Sequence, residues 1–317
     1  MPRVVGPPQV SIVLVTRNGA ETLQSVLDAI DSQDVSFPFE IVAVDSGSTD
    51  STREILQGRV DTLVTIAPEE FNHGATRNLA VEHATGELVV MLVQDAVPRS
   101  NNWLAELTAP FASDPRIAGT FCRQVPRADA SAITKLYLNR WFAAGEQARR
   151  VAIEHGATLD GLDAIERLDR CTFDNVCSCI RRSVWQAHRF ARTPIAEDLE
   201  WANAVLRAGY AIEYVPQAVV SHSHDRSARY EFARTYTLHR RLFELFGVQT
   251  IPTLGALVRA VVGAAHLHVA CVRRASPPEP MRSLGRALAL AVAWPTGQYL
   301  GALSAAKRWT PLRFRGV

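Results

Sequence analysis

Over the first third of the chain, apolar residues occur as short unbroken runs alternating with stretches spaced three and four apart. Val10 to Thr16 is a β-branched run, which predicts a strand, and it ends in a turn at Asn18-Gly19. From Glu21 to Ser32 the apolar positions are Leu23, Val26, Leu27 and Ile30, a helical period. Glu40 to Val44 predicts a second strand, ended by Asp45-Ser46-Gly47-Ser48. Ser48 or Asp50 there can cap a helix running to about Gln57, with Glu54 in its first turn. A third strand follows at Thr62 to Ile66, a helix at Thr76 to Ala84 and a fourth strand at Glu87 to Val93. Apolar strands alternating with helices predict an α/β fold, a mostly parallel sheet covered on both faces.

The middle of the chain is patterned less clearly. Trp103 to Phe111 predicts one amphipathic helix, Gly119 to Val125 a strand, and Ser131 to Arg150 one or two helices. Asp160 to Arg170 is polar and predicts a mobile loop. Glu197 to Ala208 predicts a helix closed by Gly209, and two short strands, Ala211 to Val215 and Ala218 to Ser221, flank Pro216. Beyond His224 the texture changes to Tyr230 to Phe246, rich in arginine and aromatics, then apolar stretches at Ile251 to Val272 and Leu284 to Ala306. Arg259, His266 and His268 interrupt the first stretch, Arg286 and Pro295 the second, and Pro277, Pro278 and Pro280 separate them. These helices either pack on the core or lie in a bilayer interface. The division expected is a catalytic domain over 1–225 and a basic, apolar helical region over 226–317.

Charge sharpens that division. The chain has 317 residues and a net charge of +2, but residues 225–317 hold 14 Arg/Lys and 4 Asp/Glu, a balance of +10, against −8 for the rest. That asymmetry fits either a solvated basic face or contact with anionic lipid or a lipid-diphosphate. Cys122, Cys171, Cys177, Cys179 and Cys271 have no zinc-site or disulfide-framework spacing, so reduced thiols in a cytoplasmic protein are expected. The start, Met1 to Pro8, is too proline-rich for a signal peptide, and no uninterrupted apolar run reaches about 18 residues, so no transmembrane helix is expected.

Candidate chemistry gathers at predicted strand ends. Asp45 lies where a strand gives way to a helix, a position at which α/β sheets bind ligands, and Gly47 permits the turn. It can accept from a base imide or a ribose hydroxyl, or simply cap the loop. Thr16, Arg17 and Asn18 end the neighbouring strand and can touch the same nucleotide. Asp95, preceded by Gln94, emerges from an apolar strand, where a carboxylate needs a partner or a cation such as Mg²⁺ or Mn²⁺. His222 and His224 stand two apart after another strand, so both project to one side and either can complete a metal shell. Arg77, in Phe71 to Asn78, can pair with a phosphate or orient a carboxylate. Glu197-Asp198 opens a helix whose dipole is expected to keep both ionised, so that one can act as a base. Asn175, with Glu197 and His224, is a candidate for contacts to sugar or acceptor.

In order, Ser11 to Asn18, Val44 to Asp50, Phe71 to Asn78, Gln94-Asp95-Ala96-Val97-Pro98, Ala196-Glu197-Asp198 and His222-Ser223-His224 resemble the family 2 glycosyltransferases of GT-A fold, and among them bacterial rhamnosyltransferases. The resemblance covers residues 10 to about 245. It implies that Asp45 contacts the donor nucleotide, that Asp95 is the last Asp of the Asp-x-Asp metal motif, that His222 is the further metal ligand and that Asp198 is the catalytic base. Val93 stands where the family has the first Asp of that motif. The implied reaction is an inverting transfer, with dTDP-L-rhamnose as the favoured donor and a glycan or lipid-linked glycan as acceptor, at the inner face of the plasma membrane. A UDP-sugar donor and an inactive nucleotide-sugar-binding scaffold are the alternatives. A dinucleotide oxidoreductase is disfavoured because no Gly-x-Gly-x-x-Gly follows the first strand, and nucleic acid is not expected as a partner because the basic residues lie on predicted helices.

Overall fold

The computed structural model describes residues 6–153, 158–275, 278, 280–312 and 314. The Met1–Val5 part of the proline-rich start and Pro277 of the separating prolines lie outside the described residues. The first half of the sheet follows the expected alternation: β1 (Val10–Thr16), α1 (Ala20–Asp31), β2 (Phe39–Asp45), α2 (Thr52–Leu56), β3 (Thr62–Thr65), α3 (His73–His83) and β4 (Leu88–Val93). β5 (Val97–Pro98), α4 (Trp103–Thr108), α5 (Pro110–Ser113), β6 (Ile117–Val125), α6 (Ala132–Leu138) and β7 (Arg149–Ala152) come next. The chain continues through α7 (Ala164–Arg170), β8 (Cys177–Arg181), α8 (Arg182–Ala187), α9 (Glu197–Arg207) and β9 (Ala211–Ser221). It closes with α10 (Ala228–Phe246), α11 (Leu254–Arg273) and α12 (Met281–Ala306).

Among the described residues one sheet runs β3-β2-β1-β4-β8-β6-β9-β5, with β7 also paired to β9. β3, β2, β1 and β4 are mutually parallel, whereas β8 runs antiparallel to both β4 and β6. Leu92 pairs with Cys177, so the start of β8 lies at the edge where β1, β2 and β4 end. β6 and β9 are parallel to each other, and each is followed by a turn at this same edge. Apolar cores fill both faces of the sheet, one around Val13, Met91, Phe121 and Trp201, the other around Ile12, Leu14, Ile41 and Trp103. At the opposite edge, buried Glu40 accepts from Ser11 Oγ at 2.6 Å and from Thr85 N and Oγ1 at 2.6 and 2.7 Å, tying three segments together. Burial alone pushes that carboxyl up, but these donors outweigh it and hold the pKa below its ordinary value.

Several middle elements differ from their sequence expectations. The expected helix from Trp103 to Phe111 is two, divided at Ala109 before Pro110, which lacks an N–H to continue the ladder. Only Ala132–Leu138 of the 131–150 stretch is helical, and Arg149–Ala152 forms an edge strand on β9. The polar 160–170 segment holds a 3₁₀ turn and then a helix, Ala164–Arg170, started by an Asp163/Glu166 capping box that periodicity alone does not register. The two strands expected around Pro216 are one, and a register shift opposite Cys122/Arg123 absorbs the proline. α11 is 20 residues long and apolar enough to cross a membrane by length and composition, with 11% of it buried; its isolated charge and histidines break the apolar run without breaking the helix.

α10 joins the main body, placing Leu242 and Phe246 in the larger core and pairing Arg241 with Glu200 at 2.6 Å. α12 then lies on α10 at Gly297 and Gly301. A Cβ on Gly301 would sit 2.4 Å from the Tyr236 carbonyl oxygen, so only glycine permits that approach. Replacing Gly301 with leucine is therefore expected to lower the melting temperature and expose α12 to limited proteolysis, with cleavage confined to the region after α10. Unchanged melting and protease resistance would show that the contact does not carry the packing.

Candidate active site

One end of the site is built where β1 and β2 terminate side by side, Thr16 opposite Asp45. Asp45 is fully buried. Its carboxylate accepts from Thr16 Oγ1 at 3.0 Å, Ser48 N at 2.9 Å and Ser48 Oγ at 2.5 Å, so it braces the loop over which Gly47 adopts φ +72° against Pro68. Asn18, at φ +48°, closes the neighbouring turn: its N–H donates to Ser48 Oγ and its Oδ1 accepts from Thr49 N. Gln94 is bound to the Arg17 backbone in both directions, accepting from its N–H at 2.7 Å and donating to its carbonyl at 3.0 Å. Thr16, Arg17, Asn18, Asp45 and Gln94 thus form one connected wall, from which the Arg17 side chain is exposed.

Two residues past β4, Asp95 faces the histidines that follow β9. His224 Nε2 lies 3.2 Å from Asp95 Oδ2 and His222 Nε2 lies 3.6 Å from Oδ1, with the two Nε2 atoms 3.2 Å apart. One donor atom from each of the three residues falls within 4.8 Å of the others. Burial is the main cause that lowers both imidazole pKa values, that of His224 to about 4. Both rings are then neutral near pH 7, with lone pairs available for coordination. A carboxylate and two neutral imidazoles suit a divalent cation, and both histidines are in place where the resemblance favoured His222 alone. Ser131 and Thr134 fix the turn after His224 by donating to Asp225, which Arg286 of α12 also approaches at 3.1 Å.

The third group stands at the start of α9. Ala196, immediately before α9, takes the left-handed conformation, φ +63°, which costs a non-glycine residue energy. Glu197 is buried and pairs with Arg77 at 2.9 Å, so Arg77 orients a carboxylate here. α3 brings Arg77 close because Gly74 lies on the 191–197 segment, where any Cβ would meet the Ala191 carbonyl at 1.9 Å. Asn175 Nδ2 reaches Glu197 at 3.5 Å, while the Asn175 N–H donates to Asp198 Oδ2 at 3.3 Å.

Glu197 and Asp198 do not share one ionisation state, contrary to the expectation that the helix dipole keeps both charged. Burial pushes Glu197 up, but the charge of Arg77, together with His73, a backbone N–H and Asn175, outweighs it and leaves the pKa lowered. For Asp198, burial and then the charges of Glu197 and Asp174 raise the pKa from about 3.8 to about 8. The dipole of a short helix is worth too little to counter them. Asp198 remains half-buried, so it reaches the cleft.

Two further residues belong to this floor and carried no sequence signal as site residues. Asp174 accepts from Gln124 Nε2 at 2.7 Å and Trp141 Nε1 at 3.2 Å, and Arg127 donates to the Asp95 carbonyl at 3.4 Å. Only the adjacency of Asp174 to Asn175 pointed toward it. Cys177 and Cys179 are buried β8 residues, and the five cysteines form no disulfide.

Residues 11–157 match the family described as Glycosyl transferase family 2. The chain is 31% identical over 234 residues to the O-antigen chain rhamnosyltransferase RfbN of Salmonella typhimurium, covering 72% of this chain and 70% of that one. It is 33% identical over 204 residues to the O-antigen chain rhamnosyltransferase WbaN of Salmonella anatum, covering 63% and 61%. Its fold is shared with the mannosyltransferase PcManGT of Pyrobaculum calidifontis, solved with GDP-Man and Mn²⁺, at TM-score 0.59 and 20% identity over 96% of this chain and 90% of that one. It is also shared with glucosyl-3-phosphoglycerate synthase of Mycobacterium tuberculosis, solved with Mn²⁺, UDP and glucosyl-3-phosphoglycerate, at TM-score 0.55 and 19% identity over 79% and 82%. By its sequence relatives and its architecture, the chain belongs to glycosyl transferase family 2.

Proposed function

We propose that the protein is an inverting glycosyltransferase that moves L-rhamnose from dTDP-L-rhamnose to a hydroxyl of a growing cell-surface glycan. The observation that carries this reading is the convergence, at one sheet edge, of Asp95, His222 and His224 with the separately held carboxyl of Asp198. Likeness to the two rhamnosyltransferases favours the sugar. A divalent cation, with Mn²⁺ better suited than Mg²⁺ to two imidazoles, would be held by Asp95, His222 and His224 and would neutralise the departing diphosphate. The wall from Thr16 to Asn18, with Asp45 and Gln94, would seat the nucleotide. Asp198 takes the proton as the acceptor oxygen bonds to the anomeric carbon and the bond from that carbon to the diphosphate oxygen breaks. Arg77 and Glu197 keep Asp198 where it is, and Asn175 steadies it. An inactive nucleotide-sugar-binding scaffold is favoured only by Val93 at the position of the motif's first Asp.

We also assign a division of labour, transfer chemistry to residues 1–225 and surface attachment to 226–317. Leu254, Val258 and Val262 are exposed along α11, and Leu288 and Val292 along α12, beside exposed Arg259, Arg273 and Arg274. Apolar and cationic side chains mixed in this way suit the headgroup region of an anionic bilayer, which would bring a lipid-linked acceptor to the site from the cytoplasmic side.

Calorimetric titration is expected to show dTDP-rhamnose bound in preference to UDP-glucose, and at least about tenfold more weakly without Mn²⁺ or in Asp95→Asn. Preference for the UDP-sugar would replace the donor and keep the reaction. Binding of neither would remove the enzymatic reading.

Asp198→Asn is expected to cost at least about a hundredfold in transfer rate while leaving donor binding in place. Because the folded pKa of Asp198 lies above its unfolded value, the native protein holds a proton that the unfolded chain releases. Stability from this group is therefore lost as pH rises toward about 8, and the asparagine variant should gain melting temperature relative to wild type from about pH 5 to about pH 9. A constant difference across that range, or wild-type turnover, would count against Asp198 as the base.

For the attachment surface, the protein should sediment with phosphatidylglycerol vesicles at low salt and stay in solution with phosphatidylcholine vesicles. Val258→Asp combined with Val262→Asp should abolish sedimentation without changing the melting temperature. Equal behaviour with both lipids, or a salt-stable dimer formed through α11, would replace the bilayer with another partner.

A further inference from the structure

Trp141 is 40% exposed in the turn after α6, yet its ring is held firmly. Its Nε1 donates to Asp174 Oδ2 at 3.2 Å, and its face packs on Phe142 with ring centroids 4.5 Å apart. Phe142 in turn meets the buried ring of Phe121 at 6.1 Å, so the indole is anchored to the core beneath it. Asp174 is fixed just as well, by Gln124 Nε2 at 2.7 Å and Val176 N at 2.9 Å. It directly precedes Asn175, whose N–H reaches Asp198, and its negative field is felt by both Asp198 and His222. An anchored, partly exposed aromatic ring is therefore bonded to Asp174, whose neighbour Asn175 reaches the carboxyl proposed to receive the acceptor's proton.

Leaving such a ring in water costs free energy in proportion to its apolar area unless a ligand covers it. A ligand that enters on this side must also bring a hydroxyl to Asp198. A pyranose meets both demands, because one ring face presents C–H bonds and the edges present hydroxyls. Asp174 Oδ1 accepts one bond, from Val176, and has a lone pair left for a sugar hydroxyl. We propose that Trp141 and Asp174 form the acceptor-sugar subsite, with the indole face stacking on the terminal pyranose and Asp174 taking one of its hydroxyl hydrogen bonds. The subsite rests on the glycosyltransferase reading of the cleft and specifies its acceptor side.

The test compares wild type with Trp141→Leu and Trp141→Phe, using dTDP-rhamnose and a panel of p-nitrophenyl pyranosides as acceptors. Acceptor KM, donor KM and donor hydrolysis without acceptor are measured together. The leucine variant should raise acceptor KM about tenfold or more, with donor KM and donor hydrolysis within about twofold of wild type. The phenylalanine variant, which keeps a flat ring, should recover most of the loss. Unchanged acceptor KM in Trp141→Leu overturns the subsite, as does a parallel fall in transfer and donor hydrolysis. Loss of folding in the leucine variant also overturns it, since an exposed stacking residue is not needed for the fold. Wild-type donor hydrolysis with no transfer to any pyranoside overturns the subsite alone, whereas neither transfer nor hydrolysis overturns the glycosyltransferase reading beneath it.

Discussion

The buried ion pair between Arg77 and Glu197 is the constraint on which the rest of the cleft depends. Both side chains are almost fully withdrawn from water, at 11% and 5% exposure, and neither charge would be tolerated there without the other. Their pairing joins α3 to α9 across the sheet edge, and Gly74 allows that close approach. The pair also bears on the chemistry next door. Burial first, and then the negative charges of Glu197 and Asp174, act on Asp198 and outweigh the small lowering by Arg77, so its carboxyl keeps a proton at pH values where ordinary aspartates have lost theirs. A carboxyl poised in this range is, once ionised, a stronger proton acceptor than an exposed one, because its basicity lies nearer that of a hydroxyl.

Much of this architecture is written in local sequence. The apolar runs of β1, β2 and β4 locate the strand ends, and strand ends locate Thr16, Asp45 and Asp95 without any tertiary knowledge. The period-two spacing of His222 and His224 places both beside Asp95, as found. What was not legible depends on contacts distant in sequence or on single-residue geometry. The split at Pro110 and the continuous β9 through Pro216 turn on where a missing N–H can be absorbed. The raised pKa of Asp198 depends on its burial and on Asp174, a residue distant in sequence, as well as on adjacent Glu197, and the left-handed Ala196 has no sequence mark because alanine is not a residue chosen for that conformation. Trp141 and Asp174 meet across 33 residues, a pairing no periodicity predicts.

The C-terminal helices are bound to the catalytic face more closely than their composition suggests. α12 sends Arg286 to Asp225, directly after His224, and the same carboxylate receives Ser131 and Thr134 from the start of α6. At the other end of α6, Tyr137 bonds His268 of α11 at 2.8 Å and packs on Trp294 of α12. α6 is thus clamped at both ends by the helical region, and the turn carrying Trp141 follows immediately. Anything that bears on α11 and α12 therefore bears on the segment leading to the aromatic platform, through packed and hydrogen-bonded side chains.

Val93 changes the electrostatics of the donor end in a way the histidines partly offset. With an apolar residue there, Asp95 is the one carboxylate that the described residues bring to the candidate metal group, and its two imidazole partners are neutral. A divalent cation held by that set would retain a net positive charge, where two carboxylates would cancel it. In the proposed donor complex a diphosphate would bring negative charge here, and a single-carboxylate group would repel it less than a pair would. Arg127, whose guanidinium reaches the Asp95 backbone, adds positive charge on the same side. With Val93 where the resemblance expects the motif's first Asp, one implied contact to the donor is missing, and Asp95, His222 and His224 are the residues that could hold a cation there.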